Sequence, residues 1–248
     1  MAIILYDLCG RNRELRFSPY CWRAKMALAH MGLAYETVAT PYTGISGIGD
    51  GVAKTVPIIE DAGRRVQDSF EIAVYLEAAY PDRPALFGSE SMVAAARFME
   101  GWTFLALHPL VLRMILKDIH DALGDSDQTY FRQSRELRFG RRLEEIHAGV
   151  PSSTASFQRA LDPVRRTLTM HEWLGGPSPR FSDYVLFGSL MWLRTIHGSL
   201  PLVPADGVHG WFERCLDLFD GLARKAPTAA PSEDAAPAAV GRGLLAEG

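Results

Sequence analysis

The chain has 248 residues, 48% hydrophobic and 22% charged, a balance that suits one large packed domain or two small ones and excludes a wholly disordered chain. Its 26 Lys and Arg against 29 Asp and Glu give a formal net charge of −3, so no basic excess attracts a phosphate backbone and nucleic acid is not an expected partner. The longest strongly apolar run, Val185 to Leu193, is about nine residues, well short of the roughly twenty a membrane span needs. Met1 to Asp7 is apolar without a basic leader and reads as a strand rather than a targeting segment. Three scattered cysteines, Cys9, Cys21 and Cys215, form no disulfide framework. The expected setting is a reducing cytoplasm, with no membrane association.

Ile3 to Asp7 begins the chain as a compact strand. Trp22, Met26, Ala29 and Leu33 recur at helical spacing and predict a helix from Pro19 to Met31. Tyr35 to Thr40 is a second strand, followed by a loop with Gly44, Gly47, Gly49 and Gly51. Pro57 to Glu60 and Arg65 to Gln67 are strands joined by the turn Asp61-Ala62-Gly63-Arg64, where glycine can take positive φ. Ser69 to Tyr80 is a helix with Ile72, Tyr75, Leu76 and Ala79 on one face. This β-α-β, then β-β-α order implies a parallel strand pair with an antiparallel edge.

Pro81-Asp82-Arg83-Pro84 punctuates the chain as a linker, and beyond it the pattern is only helical. The expected helices run from Ser91 to Asp118, bent at Pro109, then Asp127 to Ala148, Phe157 to Trp173, Tyr184 to His197 and Val208 to Leu222. The organisation so read is an α/β domain over 1–82, an all-helical domain over 83–224 and a disordered tail rich in Ala and Pro over 225–248.

Three short motifs can carry chemistry. In Ser18-Pro19-Tyr20-Cys21, serine caps the first helix and proline suits its first turn. The same geometry suits a bound thiolate, facing a hydroxyl donor and the positive end of a helix. The dipole contributes about 0.3–1 kcal/mol and a hydrogen bond to a charged group about 1.5–3 kcal/mol. At about 1.4 kcal/mol per pKa unit, a thiol near 8.5 can fall below neutrality. Serine stands where a redox Cys-Pro-Tyr-Cys motif carries its exposed cysteine, which removes dithiol exchange and leaves monothiol chemistry at Cys21 open.

In the second motif, Val56-Pro57, proline opens a strand, and a cis bond would leave the Val56 N–H and C=O to pair with a peptide-like ligand. In the third, Asp68 and Ser69 precede a helix, either as caps or as partners for a ligand's ammonium and carboxylate. No His, Cys or acidic spacing implies a metal, and residues 44–51 lack the Lys-Ser/Thr of a phosphate loop.

With these motifs in this order the chain resembles the cytosolic glutathione transferases, over roughly residues 3 to 223. The resemblance implies a thioredoxin-like α/β domain followed by an all-α domain, glutathione as co-substrate, and a homodimer. It implies that Ser18 activates the thiol, that Val56 and Pro57 form the peptide-binding turn, and that Asp68 and Ser69 hold the γ-glutamyl end.

The segments Ser18 to Lys25, Tyr42-Thr43-Gly44-Ile45, Tyr80 to Pro84, Ser134-Arg135-Glu136, Trp173 to Gly176 and Asp217 to Leu222 look like the bacterial branch that cleaves β-aryl ethers of lignin. So does the lengthened region 118–150. Cys21 stands where an apolar residue is expected, and Arg180 where a Ser, Thr or Asn cap would face Asp183, which puts that capping box in doubt.

The implied reaction is attack of the glutathione thiolate on the carbon bearing an aryl-ether oxygen, with release of a phenolate; transfer to other electrophiles, thiol transfer through Cys21 and glutathione binding without catalysis are the alternatives. Candidate lining residues for the acceptor are Phe104, His108, Met114 and Trp192, each equally readable as core. His108 could donate to the leaving oxygen, and Arg113 could hold an oxygen-rich substrate or pair with an acidic neighbour.

Overall fold

The structure is a computed structural model that describes residues 2–49, 51–148 and 150–229, without the side chains of residues 150–152. Strand β1 (Ile3–Leu8) alternates buried and half-buried residues, as one strand in the middle of a sheet should. It pairs in parallel with β2 (Tyr35–Thr40) across helix α1 (Pro19–His30) and antiparallel with β3 (Ile58–Asp61). A turn through Ala62 and Gly63, both with positive φ, returns the chain antiparallel in β4 (Arg64–Gln67), giving the order β2-β1-β3-β4. Helix α2 (Ser69–Ala79) completes this thioredoxin-like α/β unit, in the order that the sequence implies.

The helical part departs from expectation wherever proline or glycine intervenes. The first long helix is α3 (Glu90–Trp102) and α4 (His108–Ala122), joined by a π-helical segment, Thr103–Leu107. Pro109 has no N–H, and its ring crowds the carbonyl four residues back, so the helix widens before it and the His108 N–H reaches Thr103 instead. The expected helix 127–148 breaks at Gly140, which takes φ 63°, into α5 (Asp125–Phe139) and α6 (Leu143–His147). The expected helix 157–173 is α7 (Val150–Ala160) and α8 (Asp162–Leu168), divided next to Pro163. Helix α9 (Phe181–His197) is buried on nearly every side, and α10 (Gly207–Gly221) loses helical geometry at Leu218 to Asp220. Residues 225–229, expected in the tail, fold back so that the Ala229 N–H reaches the Thr195 carbonyl at 2.7 Å; the rest of that tail lies outside the described residues.

Helix α9 ties the two parts together. A Cβ at Gly188 would lie 2.3 Å from the Pro19 carbonyl oxygen, so only glycine lets α9 touch the first turn of α1. Phe70 of α2, Phe87 of the connection and Phe181 of α9 stack at 5.2–5.4 Å between centroids. Such pairs contribute about 0.5–1.5 kcal/mol each beyond burial. The Asp183 carboxylate accepts from the N–H groups of Arg180, Leu174 and Gly175 and from the Trp211 indole, at 2.8–3.0 Å. Half of the doubted capping box is therefore present. The reciprocal half is missing because the Arg180 guanidinium has no acceptor, and it donates to the Ala85 carbonyl instead.

Candidate functional site

One row of the sheet explains where the three motifs meet. Tyr6 near the end of β1 pairs with Ile58 at the start of β3, and Ile58 pairs with Gln67 at the end of β4. The loop to Ser18, the Val56-Pro57 turn and Asp68-Ser69 therefore leave the sheet at the same edge.

Ser18 is buried and has extended backbone, and its Oγ accepts the Cys21 N–H at 3.2 Å. A hydroxyl also donates, and the Ser18 hydroxyl faces the Cys21 thiol, where its hydrogen bond opposes the effect of burial and where a bound thiolate would compete for the proton. The helix start is less open than its sequence implies. Pro19 has no N–H, and those of Cys21 and Trp22 go to the Ser18 Oγ and carbonyl, leaving that of Tyr20.

The Val56–Pro57 peptide is cis, and neither the N–H nor the C=O of Val56 has a hydrogen-bond partner among the described residues. Asp68 sits at φ 77°, unusual for a residue with a Cβ. Its Oδ1 accepts from Phe70 N at 2.8 Å and Glu71 N at 3.2 Å, its own N–H reaches the Pro57 carbonyl, and Oδ2 faces outward unspent. Ser69 Oγ is buried without a hydrogen-bond partner among the described residues, a costly state that a ligand acceptor at this edge would relieve. This set of one hydroxyl donor, one free peptide unit, one carboxylate and one orphan hydroxyl fits a zwitterionic thiol peptide.

Cys21 is fully buried, its thiol 3.9 Å from the Tyr6 carbonyl, and burial pushes its pKa far above the ordinary value. Cys9 and Cys215 are buried and shifted the same way for the same reason.

Of the candidate acceptor residues, Phe104, His108 and Trp192 come together around the His108 ring, at centroid distances of 6.4 and 5.6 Å. Phe104 is half exposed, whereas His108 is buried. Met114 stands six residues further on, about 240° round the helix, so it leaves that face and is buried.

Both ring nitrogens of His108 are engaged: Nε2 lies 2.8 Å from the Ser189 Oγ and Nδ1 lies 3.3 Å from the Tyr20 hydroxyl. Burial, and behind it the Arg23 charge, lowers the His108 pKa to about 3, so the ring is neutral. Its single N–H faces one of these two hydroxyls in either tautomer, so donation from His108 to a leaving oxygen does not fit this arrangement.

Tyr20, Arg23 and Ser189 belong to this network and escaped the sequence reading. Arg23 is fully buried against Glu100, Thr103 and the Tyr20 ring. The available signal was an arginine on the apolar side of α1, one turn after a tyrosine.

Helix α5 packs on the segment 42–47 that follows β2. Buried Asp127 accepts from Tyr42 N and Thr43 N at 2.8 Å and from the Thr43 hydroxyl at 2.7 Å, while Arg135 stacks on Phe131 and Tyr42. Among the described residues no group of His, Cys, Asp or Glu could hold a metal ion, and no helix is long and apolar enough to cross a membrane.

The architecture is a thioredoxin-like α/β domain backed by a helical domain. Family models for the glutathione S-transferase N-terminal domain and C-terminal domain match residues 14–84 and 94–201. The fold is similar to that of a glutathione transferase from Phanerochaete chrysosporium, with TM-score 0.78 and 25% identity over 89% of this chain and 97% of that one. A glutathione S-transferase from Ceriporiopsis subvermispora, in complex with glutathione, matches with TM-score 0.75 and 22% identity over 92% of this chain and 100% of that one. One from Rhodospirillum rubrum F11 matches with TM-score 0.59 and 20% identity over 87% and 88%. The chain belongs to the glutathione S-transferase family.

Proposed function

We propose that this chain binds glutathione along the edge carrying Ser18, Val56-Pro57 and Asp68-Ser69, and uses its thiolate to attack an electrophilic carbon of an aromatic substrate. The observation that carries this reading is the common edge set by the row Tyr6, Ile58 and Gln67, where the Val56 peptide unit and the Ser69 hydroxyl are left without partners among the described residues. The Ser18 hydroxyl donates to the thiolate, the Val56 peptide unit pairs with the cysteinyl backbone, and Asp68 and Ser69 take the γ-glutamyl ammonium and carboxylate. Ser18 forms no covalent bond. It contributes a hydrogen bond to charge that must exist for attack.

Within this reading the substrate is a β-aryl ether. The sulfur–carbon bond forms as the carbon–oxygen bond breaks, and the phenolate leaves with the electron pair. The segments quoted from Ser18 to Lys25 and from Asp217 to Leu222 support that assignment. Homodimer formation and the cytoplasmic setting are part of the same proposal. Buried Cys21, with its raised pKa, gives thiol exchange no comparable support.

Titrating the absorbance of bound glutathione thiolate tests the first step. The pKa of the bound thiol is expected to rise by about one to two units in Ser18→Ala, the worth of one charge-assisted hydrogen bond. An unchanged pKa removes Ser18 from the mechanism. Phenol release from an α-keto β-aryl ether tests the second step: turnover of halogenated acceptors alone would leave a transferase and sink the ether reading.

A further inference from the structure

A cavity of about 480 Å³ lies where α4 meets the end of α5, α6 and the start of α7. Arg113, Phe139, Arg141, Glu145 and Ser153 line it. Arg113 makes no hydrogen bond or ion pair with any described residue, so of the two roles open to it in the sequence, pairing with an acidic neighbour is not the one it takes.

The surrounding charges are unbalanced. Arg113 and residues 132–145 hold six arginines against three glutamates. Arg132 occupies both Glu136 and Glu144, Arg142 lies 3.8 Å from Glu144, and Arg141 lies 3.7 Å from Glu145. Among the described residues Arg138 makes no hydrogen bond or ion pair, and it lies 5.6 Å from the centre of the Phe139 ring. Every acid of the segment is already taken, and two guanidinium groups flanking an aromatic ring are left over.

This end of α5 is close to the proposed site. The Arg138 charge reaches the Tyr20 phenol, two residues from Ser18, where it opposes the effect of burial. Arg113 lies about 7.5 Å along the axis of α4 from His108 and about 140° round it, so it approaches the site from the side of α5 and α6 rather than beside the His108 ring. A planar carboxylate matches the guanidinium fork, and the Phe139 ring offers a stacking face beside it.

We propose that the acceptor subsite takes aromatic substrates bearing a carboxylate, with Arg113 pairing the carboxylate and Phe139 packing on the ring. Arg138 and Arg141 supply the surrounding positive field. The inference rests on the glutathione reading for the position of the thiolate, but its own ligand is the aromatic acid.

Two measurements keep the two claims separate. Calorimetry compares biphenyl-4-carboxylate with its methyl ester on the full chain without glutathione. The acid is expected to bind at least about tenfold more tightly, and Arg113→Gln to abolish most of that difference. Arg113→Lys should keep part of it, and Arg142→Gln, outside the cavity, all of it.

Kinetics with glutathione then compares 4-chloro-3-nitrobenzoate with its methyl ester, each corrected for its uncatalysed rate. The kcat/KM ratio of acid to ester should fall about tenfold in Arg113→Gln, through KM. Equal binding of acid and ester by the parent chain overturns the proposal, as does an Arg113→Gln variant with the parent preference. A weaker glutathione affinity in Arg113→Gln overturns it too, since Arg113 would then hold the peptide. Failure of glutathione to bind at all sinks the transferase reading, while the calorimetric comparison still decides this one.

Discussion

Gly188 of α9 and Pro19 of α1 meet so closely that a Cβ at 188 would stand 2.3 Å from the Pro19 carbonyl oxygen. That carbonyl follows Ser18 directly, so the helical domain is braced against the residue proposed to hold the thiolate. Gly188 is the one glycine of α9, and it occurs where the two backbones must touch.

This contact predicts the sign of a simple substitution. Alanine in a helix interior is worth about 0.5–1 kcal/mol over glycine, but overpacking a rigid site costs about 1–3 kcal/mol. The obstacle is a backbone carbonyl that cannot rotate away, so Gly188→Ala is expected to lower stability by about 1–2 kcal/mol. Urea denaturation measures this, and a variant as stable as the parent would show that the α1–α9 contact yields easily.

Asp127 predicts a local effect. It spends both carboxylate oxygens on Tyr42 and Thr43, tying α5 to the segment after β2. Asp127→Ala leaves those donors without their acceptor and is expected to cost about 2–4 kcal/mol. Amide hydrogen exchange should speed up in residues 42–47 and in α5 before it does in β1 or α9. Uniform acceleration across the chain would mean that Asp127 supports the whole fold rather than this clasp.

The histidines predict the acid limb of stability. Burial holds the folded pKa of His108 at about 3, below the ordinary value of 6.5, and lowers that of His30 as well. The unfolded chain then binds protons that the folded chain refuses. Their contribution is fully present above about pH 6.5 and is lost as pH falls toward the folded values, at up to about 1.4 kcal/mol per pH unit for each histidine. His108→Gln should flatten the dependence of urea midpoint on pH between 6.5 and 4. A parallel curve would show that His108 takes its proton as readily folded as unfolded.

The sequence was most legible where one local rule sufficed. Strands β1 to β4, α1 and α2 follow from apolar periodicity and turn residues, and Ser18 caps α1 as its position before Pro19 requires. The helical half was less legible. The single helix read over 127–148 is two because Gly140 adopts a left-handed conformation, and the stretch 103–107 widens because Pro109 removes a donor. Arg180 showed the opposite case, since Asp183 does its half of the cap without a reciprocal partner and serves Trp211 besides.

By itself the sequence determined the order of elements and the residue types offered at each helix start, because capping, periodicity and proline geometry act within a few residues. Only the tertiary structure decided which of those groups were left over. Strand register carried the Ser18, Val56 and Ser69 regions to one edge, and packing of α4 against α1 and α9 spent both nitrogens of His108 inward. Glu136, Glu144 and Glu145 pair with other arginines, and Arg113 has no hydrogen-bond or ion-pair partner among the described residues. Whether a polar group is free is a property of its neighbours in space, and those come from distant parts of the chain.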